Sequence, residues 1–465
     1  MKYKTAAHVL LILTAVFGIL RMSQNAYAAG TITVNNITDS LADDGQCSLR
    51  EAVIAANTDT ATGGCPAGNG ADVIVFDPAL STPAVFTLTL TGVNEDNAET
   101  GDLDLTGILT IQGDNANQII IDGNGTDRIF DIRPGATVII SGITVRNGNP
   151  GNGSNGGGIL ITGGTPRAKL TLTSSIVLDN TAVIGGGIQN AGNGATAIIQ
   201  NTQITSNSAA TFGGGIANSG DLTLLNSTLA QNQARSGGGI EHSGIALHLT
   251  NDTISNNTAS DNGGGFYNRA DAIILNVTMS GNLASGPDTG GNIFNDNASM
   301  AIKNSILANS AADGNCFNSD GILTSQGFNL VSGNSCGFNG NGDIINTDPL
   351  LGQLQDNGGI TFTHALAADS PAIDKGTNSG CPATDQRGFS RPADGDGNGT
   401  MTCDIGAYEL NKLIPTVTPS LTPPSPVSTA TPVFTTPTSV PPVAPCSSAV
   451  IILFMAVVVF SLRIR

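Results

Sequence analysis

A cluster of glycines followed by one apolar residue recurs along the chain at nearly constant spacing. Successive apolar markers lie 29, 28, 24, 26 and 27 residues apart, and they are Ile159, Ile188, Ile216, Ile240, Phe266 and Ile293. A phosphate-binding loop is needed once in a protein, whereas a structural corner recurs in every repeat. A period of this length is typical of a solenoid, in which each repeat stacks only on its neighbours.

An asparagine keeps step with the glycine clusters. Its members follow one another at 27, 25, 25, 25 and 27 residues, and they are Asn180, Asn207, Asn232, Asn257, Asn282 and Asn309. We expect each of them to adopt the left-handed conformation and to hydrogen-bond the asparagines of neighbouring coils. A second column lies two residues after the apolar marker and contains one histidine: Asn190, Asn218, His242, Asn268 and Asn295. The pattern predicts a structural role for that histidine.

Each repeat alternates short β-type runs with turn residues. Segments such as DLTLLNSTLAQN show apolar residues at every second position, which favours strands. The 60 glycines disfavour helices, because glycine destabilises helix interiors. About 25 residues with short strands and Gly/Asn corners fit one coil of a parallel β-helix, with coils ~4.8 Å apart. The sequence therefore predicts an all-β solenoid whose glycines supply positive φ at a corner.

The segment CSLREAVIAAN predicts a short helix that covers the first coil. Ser48 and Glu51 have the spacing of a capping box. The apolar positions recur at the helical period and are Leu49, Ala52, Val53 and Ala56. A solenoid exposes strand edges at its ends, so a helix in this place is expected to act as a cap.

Seven cysteines in a chain with an export signal favour disulfides. Six of them fall into neighbouring pairs, Cys47 with Cys65, Cys316 with Cys336, and Cys381 with Cys403. Local pairing is the simplest connectivity, and the sequence leaves the other connectivities open. Cys446 is left over, either as a free thiol or as a modified anchor residue.

Both ends of the chain carry targeting patterns. Residues 1–28 have a basic start, an apolar stretch and a small-x-small cleavage site, which predict a signal peptide; an uncleaved anchor is the alternative. Residues 411–446 are rich in Pro and Thr and predict an extended linker. Residues 447–465 are apolar with a basic end and predict a transmembrane anchor. We expect an exported protein that is tethered to the membrane or envelope at the cell surface.

The net charge of −18 argues against nucleic acid as a partner.

CSLREAVIAAN resembles the CSLREA domain found near the start of exported bacterial β-helix proteins. The segment from TDPLLGQLQDNGG to CDIGAYEL is similar to the choice-of-anchor Q domain. The resemblance implies a right-handed, pectate-lyase-like β-helix between these two ends and a surface location, and it implies no reaction. It divides the chain into a cap at 29–85, a β-helix at 86–345 and a C-terminal region at 346–410.

One group of side chains is a candidate ligand-binding face. Alignment on the apolar markers places Arg235, Asp261 and Asp288 in one column, and Glu241, Tyr267 and Phe294 in another. A tyrosine that stacks on a sugar and carboxylates that bind its hydroxyl groups would suit a polysaccharide or another surface ligand. The alternative interpretation is a solvated ion pair that contributes little.

The segment DGDGNGT has the D-x-D-x-N-G spacing of a calcium loop, with Asp394, Asp396 and Asn398 as the candidate ligands. The Glu of a complete EF-hand is missing, so the hypothesis is a looser Ca²⁺ site or a flexible acidic turn. The acidic run from Asn94 to Gly107 predicts a solvated insertion, with cation binding as the alternative. His364 is expected to make a structural hydrogen bond.

A lyase of this fold is expected to gather acids around Ca²⁺ beside an Arg or Lys base, and a hydrolase needs paired carboxylates. Acidic residues are sparse between Gly156 and Ser310. We therefore expect no catalytic residues and a non-enzymatic role in adhesion, display or carbohydrate contact. A polysaccharide lyase or glycoside hydrolase acting on acidic or neutral polysaccharide is the alternative, and a purely structural envelope protein is a third.

Overall fold

Each repeat contributes short strands to parallel sheets that run along the whole solenoid, because glycine and asparagine corners interrupt every apolar run. The computed structural model describes residues 30–411 apart from 93–94, 152, 193, 287 and 311–313. Within the described residues, four sheets are parallel and one two-stranded sheet is antiparallel. The parallel sheets are numbered 1 to 4 here, and a coil that contains all four visits them in the order 1, 3, 4 and 2.

Sheet 1 has eleven strands: Gly30–Val34, Ala71–Phe76, Ile108–Gln112, Thr137–Ser141, Lys169–Thr173, Thr196–Gln200, Asp221–Leu225, Ala246–Thr250, Ala272–Leu275, Ser299–Lys303 and Ile322–Ser325. Sheet 2 has nine strands: Leu103–Leu105, Phe130–Ile132, Ile159–Thr162, Ile188–Ala191, Ile216–Asn218, Ile240–His242, Phe266–Asn268, Ile293–Asp296 and Cys316–Ser319.

Sheet 3 has eleven strands: Ala84–Thr87, Ile119–Asp122, Thr144–Arg146, Ile176–Leu178, Gln203–Thr205, Thr228–Ala230, Thr253–Ser255, Thr278–Ser280, Ile306–Ala308, Leu330–Val331 and Ile344–Ile345. Sheet 4 has five strands: Thr181–Ile184, Ser208–Phe212, Gln233–Ala234, Thr258–Ala259 and Leu283–Ala284. The antiparallel pair is Leu351–Gln355 with Thr363–Leu366.

The core fills the interior of the coils, where apolar side chains from successive strands stack in continuous columns. In the strand Ile159–Thr162, for example, Ile159 and Ile161 are fully buried while Leu160 points to the other face. The prediction of an all-β parallel β-helix with one short helix is confirmed. Crossovers between parallel strands of one sheet are right-handed in nearly all proteins, and this is the hand expected for the coils.

The glycine triplets form a corner, as the spacing predicts. The first glycine of a triplet has positive φ, for example 64° at Gly213. The second glycine has no room for a side chain, because a Cβ at Gly214 would collide with the carbonyl oxygen of Gln233 in the next coil. The triplet is therefore required by local backbone geometry at one position and by close coil stacking at the next.

The first asparagine column is a buried hydrogen-bonded ladder. The Nδ2 of each asparagine from Asn180 to Asn257 donates to the Oδ1 of the next one at 2.9 to 3.0 Å. The backbone N–H of the same residue donates to that oxygen as well, and Nδ2 also donates to a backbone carbonyl, as in Asn232 to Ile204. Every polar group of the amide is satisfied inside the protein.

Two details of the predicted ladder were wrong. The left-handed residue is the one before each ladder asparagine, for example Gln231 at φ 57°, because the chain turns before the amide enters the interior. Asn309 is not in the ladder. Because Ser280 pairs with Ala308, Asn309 lies one position before the place that a ladder asparagine would occupy in its coil. Asn282 donates instead to Asn292, which donates to Asn315.

The second column exists as predicted, and His242 occupies an asparagine position in it. The Nδ1 of His242 accepts hydrogen bonds from Asn218 Nδ2 at 2.9 Å and from the Gly244 N–H at 3.2 Å. Nε2–H then donates to the Asp271 carbonyl at 3.1 Å. Because His242 turns its proton toward Asp271, the Oδ1 of Asn268 receives no hydrogen bond from the residues that the structure describes. Burial lowers the pKa of His242, and the two donors at Nδ1 favour the same neutral tautomer.

The front of the solenoid is capped as predicted. The helix Leu49–Thr58 begins at a capping box formed by Ser48 and Glu51, and it packs on the first strands of sheets 1 and 2. Its Arg50 is completely buried and pairs with Asp39 at 2.6 Å. The three predicted disulfides, Cys47–Cys65, Cys316–Cys336 and Cys381–Cys403, are confirmed.

The C-terminal region lies against sheet 3. The Nδ1–H of His364 donates to the Gly352 carbonyl at 2.7 Å, and its Nε2 lies 2.8 Å from the Ser255 hydroxyl, so its predicted structural role is confirmed. Sheet 1 crosses the predicted boundary at 85/86, and the division into domains stays a prediction. Residues 30–411, as far as the structure describes them, contain no helix that is long and apolar enough to span a membrane. The predicted signal peptide, the anchor at 447–465 and Cys446 lie outside the described residues.

Replacement of Asn232 by Ala is expected to lower the free energy of unfolding by about 2–3 kcal/mol, because it leaves buried amide groups of both neighbouring coils without partners. Asn117→Ala, at an exposed side chain, is the control and is expected to change stability by less than about 0.5 kcal/mol. Urea denaturation followed by circular dichroism measures both. Equal changes in the two variants would contradict the ladder.

His242 is expected to make stability depend on pH. Its folded-state pKa lies below the value of 6.5 for a free histidine, so the unfolded chain binds more protons as the pH falls through 6.5 and stability decreases. His242→Asn restores the ladder residue and is expected to reduce this decrease between pH 7.5 and 5. His248→Asn, at an exposed position, is the control. An unchanged pH profile in the His242 variant would exclude the histidine as its source.

Candidate functional site

The middle residues of the sheet 2 strands point away from the core and form one continuous column, called here the outward row. Strand pairing places each member beside the next, in the order Asp104, Asp131, Leu160, Gln189, Ala217, Glu241, Tyr267, Phe294 and Phe317. The row has carboxylates at one end and aromatic rings at the other. It contains two of the residues that the sequence singled out for ligand binding.

The aromatic end of the row is a packed stack. The ring centroids of Tyr267 and Phe294 are 5.5 Å apart, and those of Phe294 and Phe317 are 5.3 Å apart. Phe212, from sheet 4, lies nearly parallel to the Tyr267 ring at 6.3 Å. The guanidinium carbon of Arg269 lies 5.0 Å from the Phe212 centroid and 5.2 Å from that of Tyr267. Arg269 therefore forms the outer surface of the stack through cation–π contacts.

The polar groups of this end are paired with one another. The buried Glu241 carboxylate accepts a hydrogen bond from Arg269. Burial raises the pKa of Glu241, and Arg269 opposes that rise. The Tyr267 hydroxyl donates to Asp296 Oδ2 at 2.9 Å, and burial raises the pKa of Tyr267 to about 12. These contacts pair the Glu241 carboxylate with Arg269 and keep Tyr267 protonated, which suits binding better than proton transfer near neutral pH.

The structure brings together some of the predicted ligand residues. Glu241 and Tyr267 are neighbours in the outward row, and Arg235 Nε lies 2.6 Å from Asp261 Oδ2 in an exposed ion pair. Asp288 is exposed and makes no ion pair within the part of the chain that the structure describes. The Tyr267 side chain is only 9% exposed, so a ligand would reach Arg269 before the tyrosine ring. The assignment of these residues to a ligand site stays a prediction.

A groove of about 500 Å³ adjoins the aromatic end, at the corner where strands of sheet 2 lead into sheet 1. Arg269 lines it together with two strongly exposed isoleucines, Ile245 and Ile322. Asp271 and Asp320 supply carboxylates along the same groove. It crosses four successive coils, which corresponds to about 14 Å along the solenoid.

The carboxylate end is a buried acidic cluster. Three carboxylate oxygens lie within 4.8 Å of one another, one each from Asp102, Asp104 and Asp131. All three residues are buried. Burial is the main cause that raises the pKa of Asp102 to about 8 and the pKa of Asp104 to about 7. Neighbouring carboxylates add to both shifts, because like charges disfavour ionisation of each other.

Two arginines compensate part of this charge. Arg128 Nε lies 2.9 Å from Asp102 Oδ2, and Arg133 Nη1 donates to Asp131 Oδ2 at 3.0 Å. The other oxygen of Asp131 accepts from the Thr162 hydroxyl at 2.7 Å. The acidic run was predicted to be a solvated insertion, and this was wrong for its last residues because they enter sheet 2.

Asp127 and Asp131 were not predicted from the sequence, because both precede the regular glycine-cluster repeats that begin at Gly156. A usable signal was present. LDL at 103–105 and FDI at 130–132 each place an aspartate between two apolar residues, 27 positions apart. An acid at the same place in two successive apolar strands indicates stacked carboxylates on one face.

The predicted calcium loop forms a second acidic cluster with a different composition. Oxygens of Asp394 and Asp396 lie within 4.8 Å of Asp374, which the sequence did not indicate because it is 20 residues away. The Asn398 amide donates to Asp396 Oδ2 at 2.9 Å, and Asp394 accepts backbone N–H groups of its own loop, for example from Gly399 at 2.9 Å. Calcium binding at this loop stays a prediction.

The fold and the outward row define a parallel β-helix with one polar and aromatic surface column. The chain aligns with the crystal structure of pectate lyase Pel9A at 12% identity and a TM-score of 0.36, over 83% of this chain and 98% of that chain. No protein-family model matches the chain, and no curated protein matches it. The resemblance of its two ends to the CSLREA and choice-of-anchor Q domains stays a prediction.

The two ion pairs beside the row are expected to differ in strength. A double-mutant cycle on Glu241→Gln and Arg269→Met should give a coupling free energy of about 1–3 kcal/mol, because Glu241 is buried. The cycle on Arg235→Met and Asp261→Asn should give less than about 1 kcal/mol, because both side chains are exposed. Urea unfolding of the unmodified chain, the four single variants and the two double variants measures both couplings. A larger coupling for the exposed pair would contradict the role given to Arg269.

Proposed function

We propose that this chain is an exported protein, tethered at the cell surface by its C-terminal tail, whose β-helix binds polysaccharide without cleaving it. The observation that carries the proposal is the groove beside the aromatic end, where Arg269 joins the exposed Ile245 and Ile322 to the carboxylates of Asp271 and Asp320. A sugar chain presents both apolar C–H faces and hydroxyl groups. A groove with exposed apolar side chains and charged hydrogen-bonding groups is complementary to both.

The pairing of the polar groups supports binding rather than catalysis. Glu241 is held by Arg269, and Tyr267 is held by Asp296. A general base needs access to the proton that it removes and a pKa near the working pH. These groups instead fix the position of Arg269, whose side chain is 35% exposed and available to a ligand.

Polysaccharide cleavage is the second candidate function, and the acidic cluster favours it. Asp102, Asp104 and Asp131 converge beside Arg128 and Arg133 at the carboxylate end of the outward row. Acids that gather beside arginine are the arrangement expected of a lyase. In this structure both arginines are already paired with carboxylates, which supports binding as the first choice.

The full chain should be screened against immobilised polysaccharides while the solution is assayed for released sugar. Retention without release is expected. Ile322→Ala should weaken retention about fivefold or more, equivalent to ~1 kcal/mol, because it removes exposed apolar surface from the groove. Ile108→Ala is the matched control, since Ile108 is also a strongly exposed isoleucine at the start of a sheet 1 strand.

Each outcome of the screen decides between the candidates. Unsaturated or reducing products in solution would replace binding with cleavage. Equal weakening by the two isoleucine variants would place the binding surface outside the groove. Absence of both retention and release would contradict polysaccharide binding for the glycans tested.

A further inference from the structure

The acidic cluster at the start of the outward row holds more buried carboxyl groups than the neighbouring arginines can neutralise. Four carboxylates meet there, from Asp102, Asp104, Asp127 and Asp131, and all four residues are at most 8% exposed. Arg128 and Arg133 are the paired cations, and Arg133 also binds the exposed Asp96 at 2.9 Å. The four buried carboxyl groups therefore outnumber the two arginines by two. Buried like charges repel strongly unless a counter-charge lies among them.

One oxygen of the cluster has no hydrogen-bond partner. Asp104 is completely buried, and its Oδ2 accepts the Ala98 N–H at 3.1 Å. Its Oδ1 accepts no hydrogen bond in the part of the chain that the structure describes. The cation beside it, Arg133 Nη1, is 3.6 Å away and is already bound to Asp131. A buried carboxylate oxygen without a donor is rare in proteins, and it marks a position that a ligand can complete.

The ligand set identifies the class of cation. All the candidate donors are carboxylate oxygens, with no imidazole or thiolate among them. Such donors suit hard divalent cations, whereas zinc and copper prefer nitrogen and sulfur. Asp104 and Asp131 occupy equivalent places in adjacent strands, so the β-helix itself holds them together. Ca²⁺ accepts the irregular geometry that such stacked carboxylates provide, while Mg²⁺ requires a near-ideal octahedron.

We propose that Asp102, Asp104 and Asp131 bind one Ca²⁺ ion at the carboxylate end of the outward row. The ion supplies the counter-charge that allows all of these carboxyl groups to ionise, and it gives the Asp104 Oδ1 a close partner. Asp102 and Asp131 are 8% and 5% exposed, so the edge of the cluster reaches the protein surface. This site is separate from the loop of Asp394 and Asp396, and it does not depend on the chain binding polysaccharide.

Calcium bound by the chelator-treated full chain should be measured by equilibrium dialysis at pH 7.5. Asp104→Asn keeps the shape of the side chain and removes its charge, so it is expected to bind one Ca²⁺ fewer per chain than the unmodified protein. Asp394→Asn is the matched control, because it makes the same change in the other acidic cluster and should leave this ion in place. Circular dichroism verifies that both variants are folded.

Two results would overturn the proposal. One is an unmodified chain that binds no Ca²⁺ at millimolar concentration. The other is a full complement of Ca²⁺ in the Asp104 variant together with a loss in the Asp394 variant. If Asp104→Asn does not fold, hydrogen exchange of the unmodified chain decides. Calcium should then slow exchange at 103–105 and 127–132, and slowing confined to 394–399, or no slowing, would refute the site.

Discussion

The hydrogen-bonded register between successive coils is the constraint on which the rest of this structure depends. A parallel sheet pairs each residue with its equivalent in the next coil, so any side chain chosen at one position becomes part of a column. Asn207, Asn232 and Asn257 show the consequence, since each amide satisfies its neighbours and no water is required. A slip of one residue would turn every strand over and bring the polar face into the core.

The same register explains why the surface has one column of chemical interest. Sheet 2 places its middle residue outward in nine strands, and neighbours along that column are fixed by backbone pairing. Charged side chains at 104 and 131 therefore lie side by side whether or not they attract each other. The aromatic residues at 267 and 294 stack for the same reason. The proposed polysaccharide groove adjoins one end of this column, and the proposed calcium site lies at the other end.

Much of the fold could be predicted because the repeat makes each coil a copy of the last. The repeat was sufficient to pair Glu241 with Tyr267 and to place His242 in a ladder, since those assignments need only alignment of the coils on their apolar markers. The ladder assignment failed at Asn309, where the coil length changes and one residue shifts the register. Local motifs such as the capping box at Ser48 and Glu51 were also predictable, because their contacts are close in sequence.

The site was less predictable, because it depends on side chains that the repeat does not align. Phe212 precedes its glycine cluster, and Arg269 follows its strand, yet the two meet over the Tyr267 ring. Asp374 joins the predicted calcium loop from 20 residues away, and no spacing rule connects them. The burial of the acidic run that contains Asp104 could not be predicted either. Its composition is typical of a solvated segment, and only the fold shows that its end enters a sheet.

Cross-linking across sheet 2 measures the register most directly. Gln189 and Ala217 are outward neighbours, whereas Asn218 is completely buried on the inner face of its strand. The variant with Gln189→Cys and Ala217→Cys is expected to form a disulfide, which mass spectrometry detects after proteolysis, because paired strands bring their Cα atoms to about 5 Å. The variant with Gln189→Cys and Asn218→Cys is expected to remain reduced at these positions. A disulfide in the second variant and none in the first would show a register displaced by one residue and would contradict the outward row.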